Sequence, residues 1–321
     1  MRKILFFLLV SLWATTIYAQ LGDEAYSFLR IPSSTRVSAL GGDNISVVEC
    51  DPSLGFHNPA LLGKEMDNML NLNYMNYISD VNIGSAIYTK AFKEKGAWGV
   101  GASFFSYGKI PGYTEENQQT GDLSAKDINI QGFFSYDLSE KWRGGLSLKF
   151  LYSSMAEYNS FGMGVDAGLS YYDSEKNFSF GFVLKNIGAQ FKSYYDERQK
   201  MPWDIQMGIS LTAVHLNRWK FDYVDDSDKE YDGDSFAQAL LKHFVVGVDW
   251  LPSDNFWVGV GYNPKRAMDM KLSGGNALSG FSAGAGIHVK MFDVSASLAK
   301  YHPSALSMMI TVTTYISDFK L

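Results

Sequence analysis

The feature that most limits what this chain can fold into is a sorting of its connections by length. Past residue 68 the sequence breaks into about fourteen segments of roughly ten residues in which apolar and polar residues alternate. Short charged turns at 93–96, 139–141, 174–177, 215–218, 252–255 and 290–291 take turns with longer polar connections at 109–125, 153–160, 189–202, 225–243, 264–278 and 302–305. Strict alternation puts every second strand end on the same side. A transmembrane barrel with an even number of strands has this form, with short turns on the periplasmic side and longer loops outside. A soluble sandwich has no reason to sort its loops. The tight connection at 79–81 is the one exception.

The segments predict an all-β fold: a transmembrane antiparallel β-barrel of about 14 strands over residues 69–321, with an N-terminal plug or hatch at 20–68. The expected strands are 69–78, 82–92, 97–107, 126–138, 141–152, 161–172, 177–187, 203–214, 218–224, 244–251, 256–263, 279–289, 292–301 and 306–316. Side chains two apart on a strand share a face. In 141–153, Leu146, Leu148, Phe150 and Tyr152 oppose Ser147 and Lys149. In 126–138, Ile128, Ile130, Phe134 and Tyr136 oppose Asn129, Gln131, Ser135 and Asp137. The apolar sets are expected to face lipid, and the Gly, Ser, Asp and Lys sets the lumen. No helical stripe is read in this region. Much of the chain's 30 Gly falls inside these strands, where Gly is usually costly. On an inner wall it relieves crowding and permits bending.

Aromatic residues make up 15% of the chain. Trp98, Trp142, Trp219, Trp250 and Trp257 lie near short turns, and Tyr77, Tyr107, Tyr152, Tyr223, Tyr262 and Tyr301 near the other connections. That sorting predicts two interfacial girdles. Residues 1–19 read as a secretory signal: Arg2 and Lys3, an apolar core from Ile4 to Val10, and Ile17-Tyr18-Ala19 before the cut. Its removal leaves 26 basic against 34 acidic residues, a net charge of about −8 that argues against nucleic acid. An even strand number is expected to leave both termini in the periplasm. Cys50, the only cysteine, cannot form an internal disulfide and reads as a small buried residue.

Residues 20–68 do not alternate. Phe28, Leu29, Ile31, Val37, Leu40, Phe56, Leu61 and Leu62 make them too apolar for a free tail. A fourteen-stranded ring is also wider than side chains alone can fill. A plug in the lumen follows.

The run from Phe28 to Gly42 (Phe-Leu-Arg-Ile-Pro-Ser-Ser-Thr-Arg-Val-Ser-Ala-Leu-Gly-Gly) and that from Asp51 to Leu62 (Asp-Pro-Ser-Leu-Gly-Phe-His-Asn-Pro-Ala-Leu-Leu) resemble the start of the PorV/PorQ family of outer-membrane proteins. The Asn58, Pro59, Ala60 triplet also looks like the hatch of the long-chain fatty acid transporters of FadL-like architecture. The Ile31-Pro32 opening and the strand Tyr74-Met75-Asn76-Tyr77 look closest to the PorQ branch. The resemblance implies the cell outer membrane of Bacteroidota. It implies a non-catalytic role in the attachment complex of the type IX secretion system, with a PorZ-like surface protein, PorV and the PorU sortase as partners and lipopolysaccharide as the acceptor of cargo. It carries over no catalytic residue, cofactor or metal. The alternative is a FadL-like channel for hydrophobic solutes.

Tyrosine is a favoured interface anchor, so Tyr113, Tyr158, Tyr194, Tyr195 and Tyr231 in or beside the long loops are candidate partner contacts. Asp226 and Asp228 join them from the acidic stretch 222–234. There Asp228-x-Glu230-x-Asp232-Gly233 imitates a calcium loop, but the closing position is Ala239, so the EF-hand pattern fails. A solvated loop, a partner contact and an ion site all remain open for it. His57, His215, His243, His288 and His302 are too scattered for a metal set, and no Ser-His pair has an obvious orienting carboxylate.

Overall fold

A computed structural model of the chain describes residues 24–113, 118–194, 198–211, 214–217, 241–253, 255–272, 279–303 and 305–316. The expected signal at 1–19 and the acidic stretch at 222–234 lie outside them.

The described residues form fourteen strands. In chain order they are β1 (Met69–Ile78), β2 (Val81–Ala91), β3 (Gly96–Tyr113), β4 (Gln119–Asp137), β5 (Trp142–Met155), β6 (Tyr158–Asp173) and β7 (Phe178–Lys192). Then come β8 (Asp204–Leu211), β9 (Val214–Asn217), β10 (Val245–Ser253), β11 (Phe256–Tyr262), β12 (Phe281–Val289), β13 (Phe292–His302) and β14 (Ala305–Tyr315). Each pairs antiparallel with its chain neighbour, and β1 pairs with β14 from Met69↔Tyr315 to Asn76↔Met308, which closes the ring. Closure leaves no unpaired edge, as a wall in hydrocarbon requires. Among the described residues no helix is long and apolar enough to cross a membrane; strands do the crossing.

The predicted parity holds. Leu146, Leu148, Phe150 and Tyr152 are exposed on the outer face, while Ser147 and Lys149 are buried inside. Asn129, Gln131 and Ser135 are buried opposite exposed Ile130, Phe134 and Tyr136. An outer face this apolar is stable only against lipid. One inner-face change is local to β7. The β6–β7 register shifts between Val165 and Ala167, and Asn186 takes a left-handed φ of 57°. The bulge turns both Lys185 and Asn186 inward, the re-aiming that bulges provide.

Residues 24–68 pass down the lumen and circle its wall. Glu24 pairs with Lys200 at the long-connection end. The short helix α1 (Thr35–Ala39) lies against β11 to β14. The backbone then meets β12 through Ser282, β8 through Ser210 and β7 through Ser179. The turn Pro59–Leu61 rests on β4, β5 and β6. Thr89 of β2 donates to the Met66 carbonyl just before β1 begins. Three apolar clusters fix this path. Phe28 packs with Met75, Phe105 and Leu151, Phe56 and Leu62 with Met69 and Phe133, and Val37, Leu40, Leu54 and Leu61 with one another. Each such side chain contributes about 1.5–3 kcal/mol when fully buried.

Several expectations change. The ninth strand starts earlier than expected: residues 214–217 pair with both β8 and β10, so 215–217 of the expected turn are strand, and 218–224 lie outside the described residues. The long connection at 264–278 begins with a helix, α2 (Pro264–Leu272), where none was expected. Its N-terminus is fixed by the Asn263 side chain, which accepts from Arg266 N, and Pro at the first helical position suits it. The connections at 109–125 and 153–160 are mostly strand, because β3 to β6 run on as paired hairpins. Cys50 is exposed rather than buried. Trp257 points into the lumen beneath Arg36 instead of joining a girdle. Tyr77, Tyr107 and Tyr301 also face inward, against the plug; Trp98, Trp142 and Trp250 are exposed on the outer face, as are Tyr152 and Tyr262. Trp219 and Tyr223 lie outside the described residues. The ends of β1 and β14 share one end of the barrel, where Ile316 N donates to the Asn68 carbonyl. The described N-terminal residues nevertheless start at the opposite end.

Candidate functional site

The lumen holds two cavities. The larger, about 670 Å³, opens toward the long-connection end. One side is apolar, with Phe28, Ile31 and Phe105, and the other carries His57, Lys149 and Lys185. The smaller, about 420 Å³, lies toward the short-turn end between Arg36, Glu49, Trp257, His288 and Tyr315. Ser33 lines the first and Arg36 the second. The stretch between them, with the start of α1, is therefore the partition.

That partition is tied to plug and wall alike. Arg36, 3% exposed, donates through Nη2 to Glu49 of the plug and to Asp249 of β10, and through Nε to Glu49 at 2.9 Å. Its guanidinium lies 4.2 Å over the Trp257 ring of β11. Thr35 hydrogen-bonds Thr311 of β14. Ser282 of β12 donates to the Ala39 carbonyl at 2.9 Å and accepts from Gly41 N at 3.0 Å. Burying a charge is costly unless it is paired, so the Arg36 contacts hold as a unit or not at all.

The polar side of the large cavity is a cross-strand network. Lys149 of β5 pairs with Asp166 of β6 at 2.8 Å and donates to Asn186 of β7 at 2.5 Å. Asp166 also accepts from Ser147 at 3.0 Å, Gln131 at 3.2 Å and Asn186 N at 2.7 Å. Lys185, only 7% exposed, lines the cavity beside this network. His57 accepts from Ser33 N at Nε2, 3.3 Å away. Burial, and secondarily the nearby Lys185, push its pKa down to about 3, so its ring is neutral at physiological pH. Asp51, in the plug beside the small cavity, is pushed up to about 6 by burial, against the opposing hydrogen bonds from Ser53.

The triplet Asn58, Pro59, Ala60 is a packing device. Asn58 Oδ1 accepts from Ala60 N and caps the turn, while its Nδ2 donates to the Ile45 carbonyl, both at 3.0 Å. The turn presses on two glycines of the wall. A Cβ on Gly145 would sit 2.3 Å from Ala60 N, and one on Gly168 2.0 Å from Asn58 Oδ1. Only glycine lets the plug backbone come this close.

Of the candidate partner contacts, Tyr158 opens β6 and is 45% exposed, and Tyr194 follows β7 half-buried. These two meet in a crevice at the long-connection end. Tyr113 ends β3. Tyr195, Asp226, Asp228 and Tyr231 lie outside the described residues. Sequence reading missed Arg36, Asp249, Lys185 and the inward Trp257. A lone Arg in a non-alternating stretch and a Lys beside Asn in a strand carry no pattern that would have found them. Among the described residues no three His, Cys, Asp or Glu side chains are grouped to hold a metal.

No family model matches the sequence, and no curated protein does. Solved structures do match in fold. The chain is similar to the P. putida toluene transporter TodX, at 12% identity over 87% of this chain and 97% of that one, with a TM-score of 0.52. It is similar to a TodX deltaS2S3 mutant, a monoaromatic hydrocarbon channel, at 12% identity, 87% and 96% coverage and a TM-score of 0.51. It is similar to a Pseudomonas aeruginosa FadL homologue at 11% identity, 88% and 98% coverage and a TM-score of 0.50. At such identities the likeness concerns the fold: this is a plugged barrel of FadL-like fold, an architecture of outer-membrane proteins.

Proposed function

We propose that this chain is a non-catalytic, plugged outer-membrane barrel that admits hydrophobic or amphipathic solutes, with the Ser33–Arg36 stretch as the barrier. The observation that carries this reading is the pair of cavities, one toward each end, with plug chain between them. The large cavity sets an apolar wall against a basic one, which suits an amphiphile. The channels named among the structures of similar fold support the same reading.

A second reading is favoured by a different observation. The segments 28–42 and 51–62 resemble the PorV/PorQ family, and they are the plug that circles the wall. On this reading the barrel anchors a PorZ-like surface protein beside PorV and the PorU sortase, and helps process cargo and attach it to lipopolysaccharide. Tyr113, Tyr158, Tyr194, Tyr195, Asp226, Asp228 and Tyr231 would meet partners at the outer end.

One experiment separates the two. Tagged full-length protein is drawn in detergent from its native outer membrane, and its companions and bound lipids are identified by mass spectrometry. Barrel alone with hydrocarbon or lipid in stoichiometric amount supports the channel. A large surface protein with sortase and a second barrel supports the scaffold and overturns the channel.

A further inference from the structure

At the long-connection end a third cavity, about 240 Å³, lies between the start of the described chain and the tips of the wall. Its lining is aromatic. Tyr26 and Phe28 come from the N-terminal segment, Tyr107 from β3, Tyr158 from β6 and Tyr194 from the connection after β7. At its floor is Asp127 of β4, 2% exposed. Its carboxylate accepts from the Tyr107 hydroxyl at 2.5 Å and from the Ser153 hydroxyl. The two hydroxyls are its side-chain partners, and among the described residues no basic side chain pairs with it. The other acid of the lining, Glu24, is taken by Arg30 in a two-pronged contact at 2.8 Å. Among the described residues the lining contains no Lys or Arg.

A buried carboxylate without a cation, ringed by π-faces, is a cage for a positive organic group. We propose that this crevice binds a small organic ammonium, its charge against Asp127 and its alkyl groups against Tyr26, Tyr107, Tyr158 and Tyr194. The volume allows it: a cavity of about 150 Å³ already accommodates benzene. A hydrated metal ion fits poorly, since Glu24 is taken by Arg30 and Asp127 is the one remaining carboxylate of a mostly aromatic described lining. The crevice shares Ser27, Phe28 and Tyr107 with the large cavity, but Asp127, Tyr158 and Tyr194 line the crevice alone, and none of these three belongs to the solute barrier.

The test is calorimetric titration of the full mature chain in a maltoside detergent, free of choline headgroups. The probes are tetramethylammonium, n-butylammonium, choline and glycerophosphocholine, against KCl at matched ionic strength. Saturable binding of at least one ammonium is expected, at least tenfold weaker in Asp127→Asn and several-fold weaker in Tyr194→Leu. Tighter binding of glycerophosphocholine than of choline would assign a lipid headgroup, and the reverse a free solute; both support the site. No saturable signal beyond KCl in the wild-type chain overturns it, as does equal affinity in folded Asp127→Asn. Should that variant lose heat-modifiable migration on gels, Tyr194→Leu and Tyr158→Ser decide: unchanged affinity in both overturns the proposal.

Discussion

Among the described residues the two sides of the ring differ in strand length and in the charge they offer the plug. Among the described residues β3 to β7 run for 18, 19, 14, 16 and 15 residues, against 8, 9, 7 and 9 for β8, β10, β11 and β12. On the tall side the plug is received by shape: the Asn58 turn sits on Gly145 and Gly168 with no room for a side chain. The low side has a glycine seat as well, Gly261, where a Cβ would sit 2.1 Å from Gly41 N, and adds a buried charge pair from Arg36 to Asp249. A backbone seated on glycine cannot shift without losing van der Waals contact along its length. A charge pair can be broken by one event. Glycine seats thus fix the plug on both sides, and the buried charge on the low side, beside the partition between the cavities, is the contact that one event can release.

Gly145→Val should break the seat and give the largest effect. A branched side chain where a Cβ already meets the Ala60 and Pro59 backbone displaces the turn, at a cost above the ~1–3 kcal/mol of ordinary overpacking. Limited proteolysis should then cut residues 51–62 while the wall keeps its heat-modifiable migration.

Arg36→Ala should follow, taking from buried Asp249 its Arg36 partner at a cost of about 3–5 kcal/mol. It should also raise hydrocarbon uptake or single-channel conductance in reconstituted bilayers, which Gly145→Val need not do in the same way. Unchanged permeability with a lowered melting point would retire Arg36 as part of the barrier.

The pH dependence should be smaller and signed. His57 sits near 3 in the folded protein against 6.5 when free. Between those values the unfolded chain takes up a proton that the folded chain does not, so this contribution is complete above about 6.5 and is lost as pH falls. The steepest loss is about 1.4 kcal/mol per pH unit. Asp51, raised to about 6, acts oppositely, adding stability as pH falls from 6 toward 4. The difference in melting point between the wild-type chain and His57→Gln should therefore move against the wild type on acidification, whatever the direction of the raw curve.

Asn58→Ala should cost least, about 1–2 kcal/mol for the lost cap and the bond to Ile45. A far larger loss of melting temperature would mean that the triplet holds the seat through its own hydrogen bonds rather than through the glycines beneath it.

Much of this was legible beforehand. Strand number, antiparallel order, the inward placement of Ser147, Lys149, Gln131 and Asn129, and a plug before residue 69 all follow from local pattern, because alternation on a strand is a property of neighbouring residues. The signal failed where geometry depends on distant partners. Tyr77, Tyr107 and Tyr301 read as a girdle because they lie at strand ends; the apolar plug behind them turned them inward. Trp257 followed Arg36 for the same reason. The hairpins at 109–125 and 153–160 look like polar loops because, beyond the lipid, their strands no longer need an apolar face, yet their backbones still pair.

By itself the amino-acid sequence determined a membrane-crossing ring and something to fill it, since lipid on one side and a wide lumen on the other impose a two-residue period and a plug. Only the tertiary structure decided what the lumen contains. The Arg36 pair spans residues 213 apart, and the tyrosine cage joins Tyr26 to Tyr158 and Tyr194. Contacts at such separation arise from how the plug threads the ring, and no local pattern encodes them.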